Sequence, residues 1–217
     1  MTHTPHSPMP LALPGQTPRL PTRAERGVIL PPPGSIPQGS DTVSAAQAEE
    51  LAEEQARLEL IERLHLPTEG HAFFDDIATE MATATGFLYG MVNLFLDEQT
   101  FIGLHNPPAE SGHLIVGRTM SRRHGWCPEV VARRRALPLH NVHAAPRFSS
   151  NHVVDAVGIQ SYFGAPLIHE ETGIVLGTVC VIDPETRPLS DSRRLRDIVK
   201  GTGTKVMEAI NAAPPQP

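Results

Sequence analysis

The sequence predicts an α+β fold in which an antiparallel sheet carries helices on both faces. Residues 87–105 and residues 161–182 each have the pattern of an antiparallel hairpin, with two apolar runs joined by a short polar turn. The last strand, residues 174–182, is apolar on both faces, so both faces of the sheet must be covered. Segments with helical spacing of apolar residues precede the first hairpin and follow the second, and they supply these covering layers.

The first 44 residues predict a disordered, Pro-rich arm. The chain holds 22 prolines and only 5% aromatic residues, and no aromatic residue occurs before Phe73. Proline removes backbone donors, and few large apolar side chains are present to offset the entropy lost on ordering. An alternative is a docking peptide in polyproline II form, centred on Pro31, Pro32 and Pro33.

Residues 45–66 predict a helix, because Ala, Leu, Glu, Gln and Arg dominate the segment. Its apolar residues recur at helical steps along one stripe, and three glutamates lie on the opposite, solvated face. The stripe comprises Leu51, Leu58, Ile61 and Leu64, and the glutamates are Glu49, Glu53 and Glu59. This helix either packs on its own domain or pairs two protomers, and we expect a homodimer.

Residues 67–211 carry the predicted folded domain, and residues 212–217 a frayed tail. A helix at residues 71–86 stops at Gly86, and a final helix is capped by Ser190 or Asp191. Two glycines in that last helix, Gly201 and Gly203, either weaken it or permit close packing. Along the last strand one predicted face holds Ile174, Leu176, Cys180 and Ile182, and the other holds Val175, Val179 and Val181.

Composition excludes several classes of protein. The formal net charge of −6 gives no general attraction to nucleic acid or to an anionic membrane surface. Two cysteines without a secretory signal do not make a disulfide framework, and no apolar run is long enough to span a membrane. We therefore expect a cytoplasmic protein. Any output is expected to pass through a partner, through self-association or through the arm.

Residues 125–188 resemble the second half of a GAF domain. The resemblance rests on an ordered series of short elements at family-like spacing. They are Cys127 before a Val-Val helix, Pro138-Leu139, Pro146-Arg147-Phe148, Asn151, Tyr162, Gly164-Ala165-Pro166-Leu167 and the Gly-Thr-Val-Cys-Val-Ile-Asp run at 177–183. The resemblance implies a stand-alone sensory module that acts in signal transduction.

The resemblance also implies where a ligand would bind, between one sheet face and the excursion at about residues 106–160. The residues expected to line that pocket are Trp126, Cys127, Asn141, Arg147, Phe148, Asn151 and Tyr162. Asn141 stands where related modules carry Asp, and it either contacts the ligand or caps the turn before Pro146. The ligand is an unidentified small molecule, and the sequence names no cofactor.

A second hypothesis is a redox or covalent sensor at Cys127. The thiol precedes a helix predicted at residues 128–135 and follows Arg122, Arg123 and His124, a setting that lowers a thiol pKa. The alternative is a small buried apolar residue. Cys180, inside a strand, is predicted to be core.

The free methionine-(R)-sulfoxide reductases share the GAF fold and use partner cysteines in the excursion. This chain has no cysteine between Cys127 and Cys180. The sequence therefore predicts that the protein is not an enzyme.

A third hypothesis is a protein-interaction scaffold with an unused pocket. Residues 113–147 hold seven arginines against one glutamate, a local charge of +6. This patch could bind an anionic ligand or the acidic helix of a second protomer, or it is a solvated face. The neighbouring His140, His143 and His152 lack Cys or carboxylate partners at recognised spacing, so no metal site is predicted.

Overall fold

A six-stranded antiparallel sheet organises the part of the chain that the computed structural model describes, residues 44–212. The strands are β1 (Tyr89–Phe95), β2 (Gln99–His105), β3 (Thr119–Met120), β4 (Leu137–Leu139), β5 (Ser161–Ile168) and β6 (Val175–Asp183). Their order across the sheet is β3-β2-β1-β6-β5-β4. The predicted α+β fold with both hairpins is confirmed. The Pro-rich arm at residues 1–43 and the tail at 213–217 lie outside the described residues.

Six α-helices accompany this sheet in the described residues. They are α1 (Ala45–Arg63), α2 (Ala72–Thr85), α3 (Cys127–Arg133), α4 (Pro146–Ser149), α5 (His152–Val157) and α6 (Ser192–Ala212). Local sequence explains their ends. Ser44 and Gln47 form a capping box at the start of α1, and Gly86, at φ 73°, ends α2 as expected. No helix among residues 44–212 is long and apolar enough to cross a membrane.

One face of the sheet is covered by α2 and α6, with the second half of α1. The buried side chains of this helix face include Phe74, Ile77 and Met81 from α2 and Leu195, Val199 and Val206 from α6. The two glycines of α6, Gly201 and Gly203, were predicted either to weaken the helix or to permit close packing, and they differ in this respect. A Cβ on Gly203 would lie 3.4 Å from Val179, whereas one on Gly201 would meet open space. Gly203 therefore permits close packing on the sheet.

The burial predicted for α1 is partly wrong. Leu51 is 57% exposed, while Arg57 and Leu60 are buried. The Arg57 Nε donates a hydrogen bond to the carbonyl of Val175 at 2.5 Å, which satisfies the guanidinium as its carbon stem packs. Glu53, predicted to be solvated, forms ion pairs with Arg57 and Arg134. The spacing of apolar residues could not show that a buried arginine replaces a leucine on the packing face.

The facing predicted for residues 174–182 is also wrong at two residues. Ile174 and Leu176 pack with the core of the helix face, together with Val179 and Val181, and not with Cys180 and Ile182. The pairing of β5 with β6 shifts register between Leu167 and Ile168, so β6 carries an extra residue there. Such a bulge reverses the alternation of side chains beyond it.

The opposite face of the sheet is covered by residues 106–160, which we call the excursion. Its elements are short: α3, α4 and α5 have 7, 4 and 6 residues. Buried side chains of this excursion face include Trp126, Cys127 and Val130 from the excursion and Tyr89 and Met91 from the sheet. Both faces of β6 are thus covered, as its apolar pattern predicts.

Candidate functional site

A cavity of about 120 Å³ lies between the excursion and the sheet. Its walls are mostly apolar, and three of the seven predicted pocket residues line it: Trp126, Cys127 and Tyr162. Other lining residues from the sheet are Met91, Phe101, Cys180 and Ile182, and from the excursion Val116, Gly117, Thr119, Met120, Gly125, Val153 and Val157. The cavity lies where the resemblance implies a pocket, although its polar groups are few.

The turn at Gly125 sets the position of the cavity wall. Gly125 has φ 75°, a left-handed conformation that glycine adopts without strain. The Asn151 amide holds this turn from both sides: Nδ2 donates to the Gly125 carbonyl at 2.7 Å, and Oδ1 accepts from the Gly125 amide at 3.1 Å. Asn151 also caps α5. It is therefore a positioning residue for Trp126 and Cys127, and it does not line the cavity.

Phe148 supports the other side of Trp126. The Trp126 Nε1 donates to the carbonyl of Phe148 at 3.2 Å, and the indole is 3% exposed. The Trp126 ring lies 5.3 Å from the Tyr162 ring at a tilt of 46°. Phe148 was predicted to line the cavity, but it is not among the lining residues. It supports Trp126 through its backbone carbonyl, while its side chain packs against the core of the excursion face.

Two predicted pocket residues lie away from the cavity. Asn141 accepts a hydrogen bond from the amide of His143 at 2.9 Å, so it caps a 3₁₀ turn, the structural alternative raised above. Arg147 pairs with Glu129, and its guanidinium lies 4.4 Å from the centre of the Phe148 ring. Both side chains are satisfied at the surface of the excursion, so neither is available to the cavity.

Two thiols and a phenol meet at the cavity wall. The Cys127 Sγ lies 3.7 Å from the Cys180 Sγ and 3.4 Å from the Tyr162 hydroxyl. The Cys180 Sγ in turn lies 3.8 Å from the Met91 Sδ. Both cysteines are free and buried. Cys180 is a core residue, as predicted. It also contacts Cys127, the cysteine that the sequence predicted as a candidate redox sensor.

This cluster changes the acidity of its members. The hydrogen bond from Cys180, with further donors that include Tyr162, lowers the pKa of the Cys127 thiol from 9.0 to about 7, and burial opposes the change. The same hydrogen bond raises the pKa of Cys180 well above its usual value. Burial raises the pKa of Tyr162. The sequence predicted a lowered pKa at Cys127 from the helix N-terminus and the preceding Arg122, Arg123 and His124. In the structure the pKa is lowered by hydrogen bonds from Cys180 first, then from Thr178 and Tyr162.

Glycine at position 164 makes room for the phenol. A Cβ on Gly164 would collide with the Tyr162 hydroxyl, two residues earlier on β5. Gly164 pairs across the sheet with Cys180, and Cys180 pairs on its other side with Met91. Sequence reasoning missed Met91, Gly164 and Cys180 as site residues. The alternation along the last strand, which places Cys180 on the face opposite Val179 and Val181, was the signal that could have found the last.

The arginine patch is largely neutralised within the chain. Five of its seven arginines form ion pairs with carboxylates of the described residues. The pairs are Arg118 with Asp75, Arg122 with Glu54, Arg133 with Glu129, Arg134 with Glu53, and Arg147 with Glu129. The acidic helix that meets the patch is α1 of the same chain. Among the described side chains no three His, Cys, Asp or Glu residues gather as a metal site.

The fold is a small antiparallel sheet domain with a cavity between the sheet and a long excursion, and comparison with known proteins assigns its family. The GAF domain family model matches residues 69–209, more than half of the chain. The chain therefore belongs to the GAF domain family, whose members are regulatory and sensory domains. No curated protein has a sequence that matches it significantly.

Several solved structures have a similar fold. The GAF domain of Acinetobacter phosphoenolpyruvate-protein phosphotransferase is 15% identical with a TM-score of 0.49, over 76% of this chain and 94% of that one. A free methionine-R-sulfoxide reductase from Neisseria meningitidis, in complex with its substrate, is 16% identical with a TM-score of 0.48, over 76% and 93%. A far-red cyanobacteriochrome photoreceptor is 9% identical with a TM-score of 0.48, over 73% and 97%.

These matches correct one prediction. The sequence predicted that the protein is not an enzyme, and that conclusion is wrong as drawn, because the similar structures include a reductase. The GAF fold holds enzymes as well as sensors.

Proposed function

We propose that this GAF domain is a sensory module that binds a small, mainly apolar molecule in the cavity between sheet and excursion. The observation that carries the proposal is the cavity itself, walled by Trp126, Cys127 and Tyr162. Apolar walls with a few polar groups are typical of ligand sites. The thiols and the phenol would orient the one polar end of such a ligand.

The size of the cavity limits the ligand. Its volume is about 120 Å³, whereas drug-sized ligands occupy roughly 300 to 1,000 Å³. An apolar cavity of about 150 Å³ in another protein admits benzene. The ligand is thus a molecule of about that size, or the apolar end of a larger one that reaches out past the excursion.

Helix α3 supports a route from the cavity to α1. It begins at Cys127, in the cavity wall, and is followed by Arg134, whose Nη1 lies 3.4 Å from the Glu53 carboxylate of α1. Arg122, before the same helix, pairs with Glu54. A ligand that moves α3 would change both ion pairs, provided that it binds the two arrangements with different affinity.

The output would follow from the position of α1. Pairing of two copies through this helix stays a prediction, as does binding of a protein partner. Sedimentation equilibrium of the full chain tests the dimer, with Leu51→Glu, on the exposed part of α1, as the variant that would dissociate it.

The test of the proposed site is a thermal-shift screen of small apolar compounds on the full chain, followed by titration calorimetry. Val157→Phe, which fills the cavity from α5, should abolish the shift. Val154→Phe is the matched control, because Val154 lies on the same helix and does not line the cavity. A ligand that binds the wild type and Val157→Phe equally would place binding elsewhere and contradict the proposal.

A further inference from the structure

The two thiols at the cavity have a geometry that ligand binding does not require. Their sulfur atoms lie 3.7 Å apart, and both residues line the cavity. A disulfide bond is about 2.05 Å long, so the sulfurs must approach by less than about 2 Å. Cys127 is the first residue of a short helix in the excursion, while Cys180 lies mid-strand in the sheet. The movable partner is therefore Cys127.

We propose that Cys127 and Cys180 form a peroxide-sensitive dithiol: a small hydroperoxide that enters the cavity oxidises Cys127, and Cys180 converts the product to an intramolecular disulfide. The inference goes beyond the proposed ligand binding, since it assigns a modification site and a class of oxidant. It also gives a role to Cys180.

The reaction balances in two steps. The Cys127 thiolate attacks the terminal oxygen of the hydroperoxide, the O–O bond breaks, and the departing alkoxide takes a proton to leave as alcohol or, from hydrogen peroxide, water. Cys180 then attacks the Cys127 sulfur, the S–O bond breaks, and hydroxide leaves as water with the Cys180 proton. Two thiols lose two electrons in total, and one hydroperoxide gains them.

The surroundings assign the two roles. Cys127 is contacted by the hydroxyl of Tyr162 and by the Cys180 thiol, and both can donate to a thiolate. Cys180 has the thioether of Met91 on its other side, which donates nothing. Negative charge is therefore better stabilised on Cys127, which makes it the attacking sulfur and Cys180 the resolving one.

The cavity selects the oxidant by size. At about 120 Å³ it holds hydrogen peroxide or a short alkyl hydroperoxide, but not a peptide disulfide. Cys127 and Cys180 are 3% and 1% exposed, so oxidants that cannot enter the cavity do not reach them. Hydrogen peroxide should therefore oxidise the pair, and oxidised glutathione should not.

The experiment treats the full chain with hydrogen peroxide and follows Trp126, the single tryptophan, by fluorescence. We expect an intact mass lower by two hydrogens, one disulfide joining the peptides of Cys127 and Cys180, and a change in emission that dithiothreitol reverses. Cys180→Ser should stop at a sulfenic acid on Cys127, which dimedone captures. Cys127→Ser should not react.

Several results would overturn the inference. They are oxygen added to Cys127 without a disulfide in the wild type, a disulfide between chains in place of the internal one, or equal oxidation by oxidised glutathione. If Cys180→Ser fails to fold by circular dichroism, Cys180→Ala serves, and the disulfide mapped in the wild type decides in any case. No step requires the proposed ligand, so failure here leaves the ligand proposal standing, and the converse also holds.

Discussion

The two faces of the sheet differ in how they are covered. The helix face is closed by α2 and α6, which have 14 and 21 residues and place long side chains in one continuous core. The excursion face is closed by helices of seven residues or fewer and by turns that side-chain amides hold in place. The cavity and both thiols lie on this second face. The larger core thus lies on the helix face, and the candidate site lies on the excursion face.

The substitution with the largest expected effect on stability is on the helix face. Phe74→Ala, at a side chain that is fully buried in α2, should lower the free energy of unfolding by about 3 to 5 kcal/mol. The neighbouring Phe73 is 41% exposed, and Phe73→Ala is the matched control with an expected loss below about 1 kcal/mol. Urea denaturation followed by circular dichroism measures both. Equal losses would show that the burial of Phe74 between α2 and the sheet does not stabilise the helix face.

On the excursion face we expect a smaller loss in the free energy of unfolding, but the substitution also changes the wall of the cavity. Asn151→Ala removes the cap of α5 and both hydrogen bonds to Gly125, which should cost about 2 kcal/mol. Because the turn at Gly125 positions Trp126, the emission of Trp126 should also shift to longer wavelength in the folded protein.

Asn141→Ala is the control for that change, since it removes a cap in the same excursion without contact to Gly125. It should destabilise less than Asn151→Ala and leave the emission of Trp126 unchanged. An unaltered spectrum in Asn151→Ala would contradict the positioning role.

The thiol cluster can be tested by pH. Cys127, with a pKa of about 7, should react with iodoacetamide at a rate that rises with pH and is half-maximal near pH 7. That midpoint is two units below the value of 9.0 expected for an unperturbed thiol. The titratable groups that face it are Cys180 on β6 and Tyr162 on β5, beside the neutral Thr178 and Asn93. Tyr162→Phe removes a donor to the thiolate, so the midpoint should rise.

That variant should slow the reaction at pH 7 by about fivefold for a rise of about one pKa unit, because the thiolate fraction at that pH falls from about one half to about one tenth. Mass spectrometry of the alkylated Cys127 peptide gives the rates. A midpoint near pH 9 in the wild type would show that the hydrogen bonds do not stabilise the thiolate.

The smallest expected effect on stability concerns the ion pairs between α1 and the excursion. Glu53→Gln removes the partly exposed pair with Arg134 and the 3.6 Å pair with the buried Arg57, which keeps its hydrogen bond to the Val175 carbonyl. Partly exposed pairs contribute about 0 to 1 kcal/mol each. Thermal melting should barely change. Hydrogen exchange in α1 should nevertheless become faster, and unchanged exchange would remove Glu53 from the proposed route.

The sequence predicts the elements of this fold well and the site less well, for physical reasons. Alternation of apolar residues and turn residues defined the bounds of β5, and Gly86 marked the end of α2 as predicted. The bulge that turns Leu176 to the helix face arises from cross-strand pairing, which one strand alone does not encode.

The same limit applies to the site residues. Trp126, Cys127 and Tyr162 reach the cavity, while Asn151 and Phe148 support its wall from behind. The type of a residue does not show whether it lines a cavity or supports the wall from behind. The side-chain amide of Asn151, for example, could form hydrogen bonds in either position. The contact between Cys127 and Cys180 joins residues 53 positions apart, and it depends on the packing of α3 on β6. Only the folded structure brings these thiols together.

The measurement that tests the account most directly is native mass spectrometry of the full chain, for the wild type and Val157→Phe, followed by the denatured mass of each. We predict that the wild type carries a small molecule that denaturation releases, and that Val157→Phe, with its cavity filled, carries none. A molecule retained equally by both proteins, or a wild type that stays at its bare mass after incubation with compounds that raise its melting temperature, would contradict binding in the cavity.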